Sequence, residues 1–421
     1  MRATTTRGSR PWLTRNVRVL SGVSLLQDAA SEMLYPVLPI FLTVTLGAPA
    51  AVVGAVEGAA EGVAALARIV TGRLADRQRK RPLIAVGYGL AAFGKLLIAV
   101  AFTWPLVLVA RCVDRLGKGI RGTPRDALLM VDADPAARGR IFGVHRAADT
   151  AGAVLGPAVG LLLYELMGHR IRPLLVVAVV PAVLSVLLVR AVREAAPTTA
   201  ARQVVKVDAG PLSPRLRVLI ATLALFGLVN FPDALLLLRA HELGCSTAAV
   251  IGVYILYNAV YAAAAYPAGA LSDRFPRHLV FATGLVFFAV GYLGLGLAHN
   301  RAAVFVLFPL YGGFAACTDG VGKAWVASLA PAGRQGSAQG LYQGLTGGAI
   351  LVSGLWAGLA WNGSGRMPLL ISGTAAAVLA LVLALSNLGA DRSKGILDGT
   401  GGSGSRPRSR SWSWSRPSAR R

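Results

Sequence analysis

The sequence predicts an all-α integral membrane protein, a bundle of 12 transmembrane helices arranged as two pseudo-symmetric six-helix halves. Three observations predict it: a composition suited to lipid, a succession of apolar segments of spanning length, and a pattern that recurs between the two halves. The chain has 421 residues, 55% of them hydrophobic and only 15% charged, with a mean hydropathy of +0.59, whereas soluble chains are about 25% charged. At about 20 residues per crossing, such a chain is long enough to cross a bilayer a dozen times, and a multidomain soluble protein is excluded.

Gly, Pro and charged residues punctuate the apolar segments and predict helices over 17–45, 50–71, 82–103, 105–129, 141–165 and 171–190, then 216–239, 247–270, 279–298, 302–328, 337–360 and 367–388. The expected organisation is a tail over 1–16, an N-terminal half over 17–192, a Pro-containing linker over 193–215, a C-terminal half over 216–389 and a disordered basic tail over 390–421. The formal charge of +24 sits in the tails and in alternate loops. That placement reads as membrane topology rather than a nucleic-acid surface, and no nucleic acid is expected. Arg73, Arg77, Arg79, Lys80 and Arg81 follow helix two, Arg138 and Arg140 follow helix four, and the loop after helix one is uncharged. Both tails and the linker are therefore expected to be cytoplasmic, in a multi-pass membrane protein. His169, Arg170 and Arg172, with Arg301, break this parity.

Cys112, Cys245 and Cys317 form neither a CxxC motif nor a cluster with histidines, so they read as packing residues, with no metal site expected. Absence of an HExxH, a phosphate-binding loop or a dinucleotide fingerprint argues against an enzyme, and no catalytic residue is expected.

Charges inside apolar helices are the informative residues. Each costs about 2.5–3.5 kcal/mol at the centre of a span, so each should face protein or a watery cavity. They fall on helix one (Asp28, Glu32), helix two (Glu57, Glu61), helix four (Arg111, Asp114, Arg115, Lys118), helix seven (Asp233, beside the polar Asn230) and helix ten (Asp319, Lys323). Lys95 on helix three is an exception among the third helices. Helix four carries its bases at three-and-four spacing through Arg121 and Arg125, which makes one stripe. The expectation is a shared midplane chamber in which acids and bases of the two halves meet and change partners. There Asp28, Glu32, Glu57 and Glu61 would be proton-coupling residues, and the charges of helices four, seven and ten, with Asn230, would line a substrate cavity. The competing reading is that Asp114 with Lys118, and Asp319 with Lys323, form static i,i+4 pairs.

GRLADR at 72–77 and GALSDR at 269–274 repeat at matching points of the halves. The longer stretch GRLADRQRKR resembles the loop signature of the major facilitator superfamily, G-x-L-a-D-r-x-G-r-k, and GALSDRFPRH resembles its second copy. Arg79 and Pro276 stand where that signature prefers glycine. The similarity covers residues 15–390 and is strongest, in DRLGKGIRGTPRDALL and HRAADTAGAVLGP, to a prokaryotic branch of the superfamily. It implies the MFS-type bundle, with Asp76 as a cytoplasmic latch and Arg73 and Arg77 as its partners. Gly72, Asp273 and Arg274 belong to the same gate. Arg125, Asp126, His145, Arg146 and Asp149 at the ends of helices four and five are expected to add a network there. Arg111 matches an arginine linked to proton transfer, and Gly152, Gly156, Pro157 and Gly160 resemble the antiporter motif. The resemblance implies a monomeric secondary transporter of a small molecule, working by alternating access, with proton-coupled efflux expected and no cofactor beyond the proton gradient. The alternatives are a proton-coupled importer of an anionic metabolite and a non-transporting membrane sensor.

Overall fold

The computed structural model describes residues 13–75, 79–130, 138–194, 212–331 and 335–386. The two tails, most of the linker, Asp76 and Arg77 lie outside them, so the expected latch and the expected disorder of the C-terminal tail are not placed. The described residues hold no strand and make 12 helical spans. These are α1 (Arg15–Leu34, continued by Leu38–Ile40 and a wide turn Phe41–Thr45), α2 (Ala50–Ala75), α3 (Lys80–Ala99), α4 (Trp104–Met130), α5 (Arg138–Leu166) and α6 (Ile171–Val177 with Val179–Val189). The second set is α7 (Pro214–Gly227 with Asp233–Glu242), α8 (Thr247–Arg274), α9 (Arg277–Leu297), α10 (Ala302–Leu329), α11 (Gln335–Leu359) and α12 (Arg366–Leu385).

Eight of these are long and apolar enough to cross a membrane on composition alone: α2, α3, α5, α6, α8, α9, α10 and α12. The other four deviate for physical reasons. Helix α4 carries its basic stripe, α1 holds Arg15, Arg18, Asp28 and Glu32, α11 is diluted by Gly and Gln, and α7 is broken. The break falls at 228–232, inside a segment expected to be continuous, because Pro232 supplies no N–H and disfavours helix in the residue before it. Three of the freed carbonyls are satisfied by side chains: Trp356 Nε1 donates to Leu228 O at 2.7 Å, Ser353 Oγ to Asn230 O at 3.2 Å and Tyr292 OH to Phe231 O at 3.2 Å. Irregular backbone at membrane depth is tolerated only with such cover.

Packing repeats from half to half. In the first half α2 and α3 pack on α4, α1 on α5 and α3 on α6; in the second, α8 and α9 pack on α10, α7 on α11 and α9 on α12. Between the halves the principal contacts are α2 with α11 and α5 with α8. One end of the bundle is basic: it gathers Arg15, Arg79, Lys80, Arg81, Arg190 and Arg193, with Glu194 capping the start of α3 through Lys80 N (2.7 Å) and Arg81 N (2.9 Å). At the opposite end α2 and α11 touch main chain to main chain. A Cβ on Gly54 would fall on the Gly354 carbonyl, one on Gly58 on the Leu351 carbonyl, and one on Gly358 on Ala51. Small residues allow this approach, and it closes the opposite end.

Candidate functional site

The stripe on α4 folds inward and is neutralised from its own half. Arg111 is 2% exposed and grips Glu57 of α2 with both arms, Nε to Oε1 at 2.8 Å and Nη2 to Oε2 at 2.7 Å. Its third hydrogen bond goes to Asp114 Oδ2 at 3.2 Å. Lys95, 1% exposed on α3, donates to Asp114 Oδ1 at 2.7 Å. Arg115 lies 3.9 Å from Glu57 and 3.5 Å from Glu61. Three bases and three acids thus compensate one another between α2, α3 and α4, as buried charge requires. The close packing of α3 on α4, where a Cβ on Gly94 would meet Asp114, brings Lys95 within reach.

Toward the basic end a second network continues. Arg121 stacks over the Tyr88 ring at 4.3 Å and lies 3.9 Å from Asp28. Arg125 donates to Ser24 Oγ and to Asp126 Oδ1, both at 3.0 Å. Ser24 Oγ also contacts Tyr88 OH at 3.4 Å and His145 Nε2 at 3.5 Å, and that histidine sits 3.8 Å from Asp149. So Arg125, Asp126, His145 and Asp149 do come together, through a serine, whereas Arg146 points to an exposed position. All of these elements belong to the first half. Gly72, Arg73 and Asp273 lie within α2 and α8, and Arg274 is the exposed last residue of α8.

The second half contributes a wall of phenols. Tyr254, Tyr257 and Tyr261 recur on one face of α8, and Tyr311 joins them from α10. Tyr254 and Tyr257 stack with centroids 5.8 Å apart, and Tyr257 and Tyr311 at 5.5 Å. Tyr311 and Tyr257 donate to Asp233 at 2.8 and 3.4 Å, and Tyr261 to Asp319 at 3.1 Å. Across the seam Tyr254 donates to Glu32 of α1 at 2.5 Å, while Tyr35 packs on the Tyr254 ring at 5.5 Å. Asp233 opens the second segment of α7, directly after the break.

This corrects two expectations. Among the described residues no ion pair joins the halves: the charges of α4 find their partners within the first half, and the second half answers with tyrosines. Nor do the i,i+4 pairs form. Asp114 takes Lys95 and Arg111 rather than Lys118, Asp319 takes a phenol rather than Lys323, and Lys118, Asp319 and Lys323 are exposed. The reason is reach: a base on a neighbouring helix, packed at glycine distance, meets a carboxylate better than one a turn away on the same helix. Asn230 is half-buried in the α7 break. Gly152, Gly156 and Gly160 pack α5 on Asp28, Ala29 and Met33 of α1, and Pro157 lies inside an unbroken α5.

Twelve spans in two alike halves, sealed at one end around buried charge, define a polytopic membrane transporter. The chain belongs to the Major Facilitator Superfamily, whose family model matches residues 20–255 and 218–408. It is 31% identical over 378 residues to an uncharacterised MFS-type transporter of Methanocaldococcus jannaschii, covering 88% of this chain and 94% of that protein. It is 27% identical over 359 residues to the multidrug resistance protein MdtH of Proteus mirabilis, covering 81% of this chain and 88% of that one. Among solved structures, the nucleoside transporter NupG superposes with a TM-score of 0.73 at 16% identity over 88% of this chain and 99% of its own. A peptide transporter, POT, gives 0.73 at 16% identity over 89% and 95%. The structural likeness is one of fold.

Proposed function

We propose that the chain is a secondary active transporter that exports a small molecule across the cytoplasmic membrane in exchange for protons, by alternating access around the seam between the halves. The observation that carries this reading is unequal pairing. Glu57, Glu61 and Asp114 are pinned by bases, whereas Glu32 is held across the seam by a neutral phenol, with no base within 4.0 Å among the described residues. A proton taken up at Glu32 breaks no ion pair, yet it turns the charge-assisted hydrogen bond that ties α1 to α8 into a weaker neutral one, so proton binding and separation of the halves are linked. Asp28, with one guanidinium at 3.9 Å, is the second carrier. Glu57 and Glu61 belong to the frame. The basic end, toward which Lys118, Asp319 and Lys323 are exposed, is taken as cytoplasmic on its charge.

The substrate wall is acid and phenol: Asp233 and Asp319, like Glu32, have no base within 4.0 Å among the described residues. Stacked rings beside carboxylates suit a flat or cationic ligand, and the relative named as a multidrug resistance protein supports efflux. A second reading, proton-coupled import of an anionic metabolite, is favoured by Lys118, which is exposed and free of any carboxylate within 4.0 Å among the described residues. No cofactor enters either reading, and one copy of the chain suffices.

Proteoliposomes with an imposed pH gradient and two probes, ethidium and succinate, separate the readings. Uphill ethidium movement against the proton flow, abolished in Glu32→Gln, is expected. Succinate moving with protons would replace export by import. Binding of a probe without movement, in protein shown to be sealed in the vesicles, would replace both by a sensor.

A further inference from the structure

The three bases between α5 and α6 lie at the end opposite the basic one, where topology calls for none. The chain turns there through Gly168 and His169, both left-handed (φ 65° and 63°), with His169 N–H donating to Tyr164 O at 2.9 Å. Beyond the turn, His169, Arg170 and Arg172 line a cavity of about 560 Å³ with Thr45 of α1, Ala99 of α3 and Val176 of α6. Arg172 is fixed in place: its guanidinium lies over the Phe102 ring at 4.5 Å and the Phe41 ring at 5.6 Å, and its Nη1 donates to Ala101 O at 3.1 Å. Among the described residues no carboxylate comes within 4.0 Å of Arg170 or Arg172; the acid nearby, Glu165, contacts His169 at 3.5 Å. A half-buried cation held by aromatics and a carbonyl, with a second base beside it and no carboxylate within 4.0 Å among the described residues, has the chemistry of an anion site.

Its surroundings say which anion. Phe102 (76% exposed), against which the Arg172 guanidinium lies, brings apolar surface to the site, and Val176, which lines the cavity, is followed by Val180, Leu184 and Leu187 as an exposed strip along α6 toward the basic end. A soluble anion has no use for such a strip; an acyl chain does. We infer that this cavity binds the phosphate of an anionic phospholipid in the leaflet opposite the basic end, with Arg170 and Arg172 on the headgroup and the chain laid along α6. Membrane residence is the sole premise, so the site stands or falls independently of what the chain transports.

The test is native mass spectrometry of the full-length protein in detergent with added phosphatidylglycerol, beside phosphatidylcholine and inorganic phosphate. The expected result is one tightly retained phosphatidylglycerol that is lost in Arg170→Gln/Arg172→Gln, with affinity falling about fivefold for each charge removed. Because Arg172 also packs on two rings, the single variant Arg170→Gln, whose side chain is exposed, carries the test if the double variant does not fold. An unchanged lipid count in the charge variants, or equal retention of phosphatidylcholine, overturns the site. Displacement of the lipid by millimolar phosphate overturns the choice of a lipid over a free anion.

Discussion

Replacing Glu57 by Gln tests the buried network at its most connected member. The substitution keeps size and shape but removes the charge opposite both arms of Arg111, which bind at 2.8 and 2.7 Å, and one of the two carboxylates facing Arg115. Three bases would then share two acids in a space where Arg111, Lys95 and Asp114 are at most 3% exposed. Breaking one side of a buried pair costs about 3–5 kcal/mol. Glu61→Gln makes the matched control: its single contact to Arg115 is 3.5 Å long and its side chain is 29% exposed, so about 0–1 kcal/mol is expected. The assay is thermal unfolding in detergent, read by fluorescence. The Glu57 variant should melt well below the Glu61 variant, and adding Arg111→Met to Glu57→Gln should restore part of the loss by removing the orphaned charge. Equal melting of the two Gln variants would refute the claim that this network holds the first half together.

Lys95→Met keeps the stem in its apolar slot but removes the donor to Asp114, which retains Arg111; a loss of about 1.5–3 kcal/mol is expected in the same melting assay. Gly156→Leu would drive a side chain into the Ala29 backbone and is expected to destabilise by about 1–3 kcal/mol or more, whereas Gly252→Ala, with open space around it, should be neutral or slightly stabilising. Gly54→Leu should wedge α2 from α11 and hold the opposite end open. In a background without native cysteines, a Tyr257→Cys probe should then react severalfold faster with an impermeant thiol reagent added from that side, and an unchanged rate would show that the seal lies elsewhere.

The helices were legible because lipid demands long apolar segments and Gly, Pro and charge mark their ends; even the weak repeat at 72–77 and 269–274 gave the two halves. The α7 break was legible in principle, in Pro232 beside Asn230, yet a proline in a span also fits a kinked helix, and only the three donors that cap its carbonyls decide between them. Partner choice was not legible. Lys95 looks like an outlier in the sequence because, although α3 and α4 are consecutive helices, the register that brings it to Asp114 is set by glycine contacts, which leave no charge pattern. The phenol wall did leave a trace, in Tyr254, Tyr257 and Tyr261 at helical spacing, but tyrosines on an apolar helix read first as packing.

The bare meeting of α2 and α11 at Gly54 and Gly354 sets how the two bodies can part. Contacts of this kind are worth about 0.1–0.2 kcal/mol per atom pair and lose about a quarter to a half of that over a gap of about 0.5–1 Å, and among the described residues no salt link accompanies them. Under the proposed alternating access, this joint would loosen over a short opening distance, while the ionic network inside the first half would move as one body.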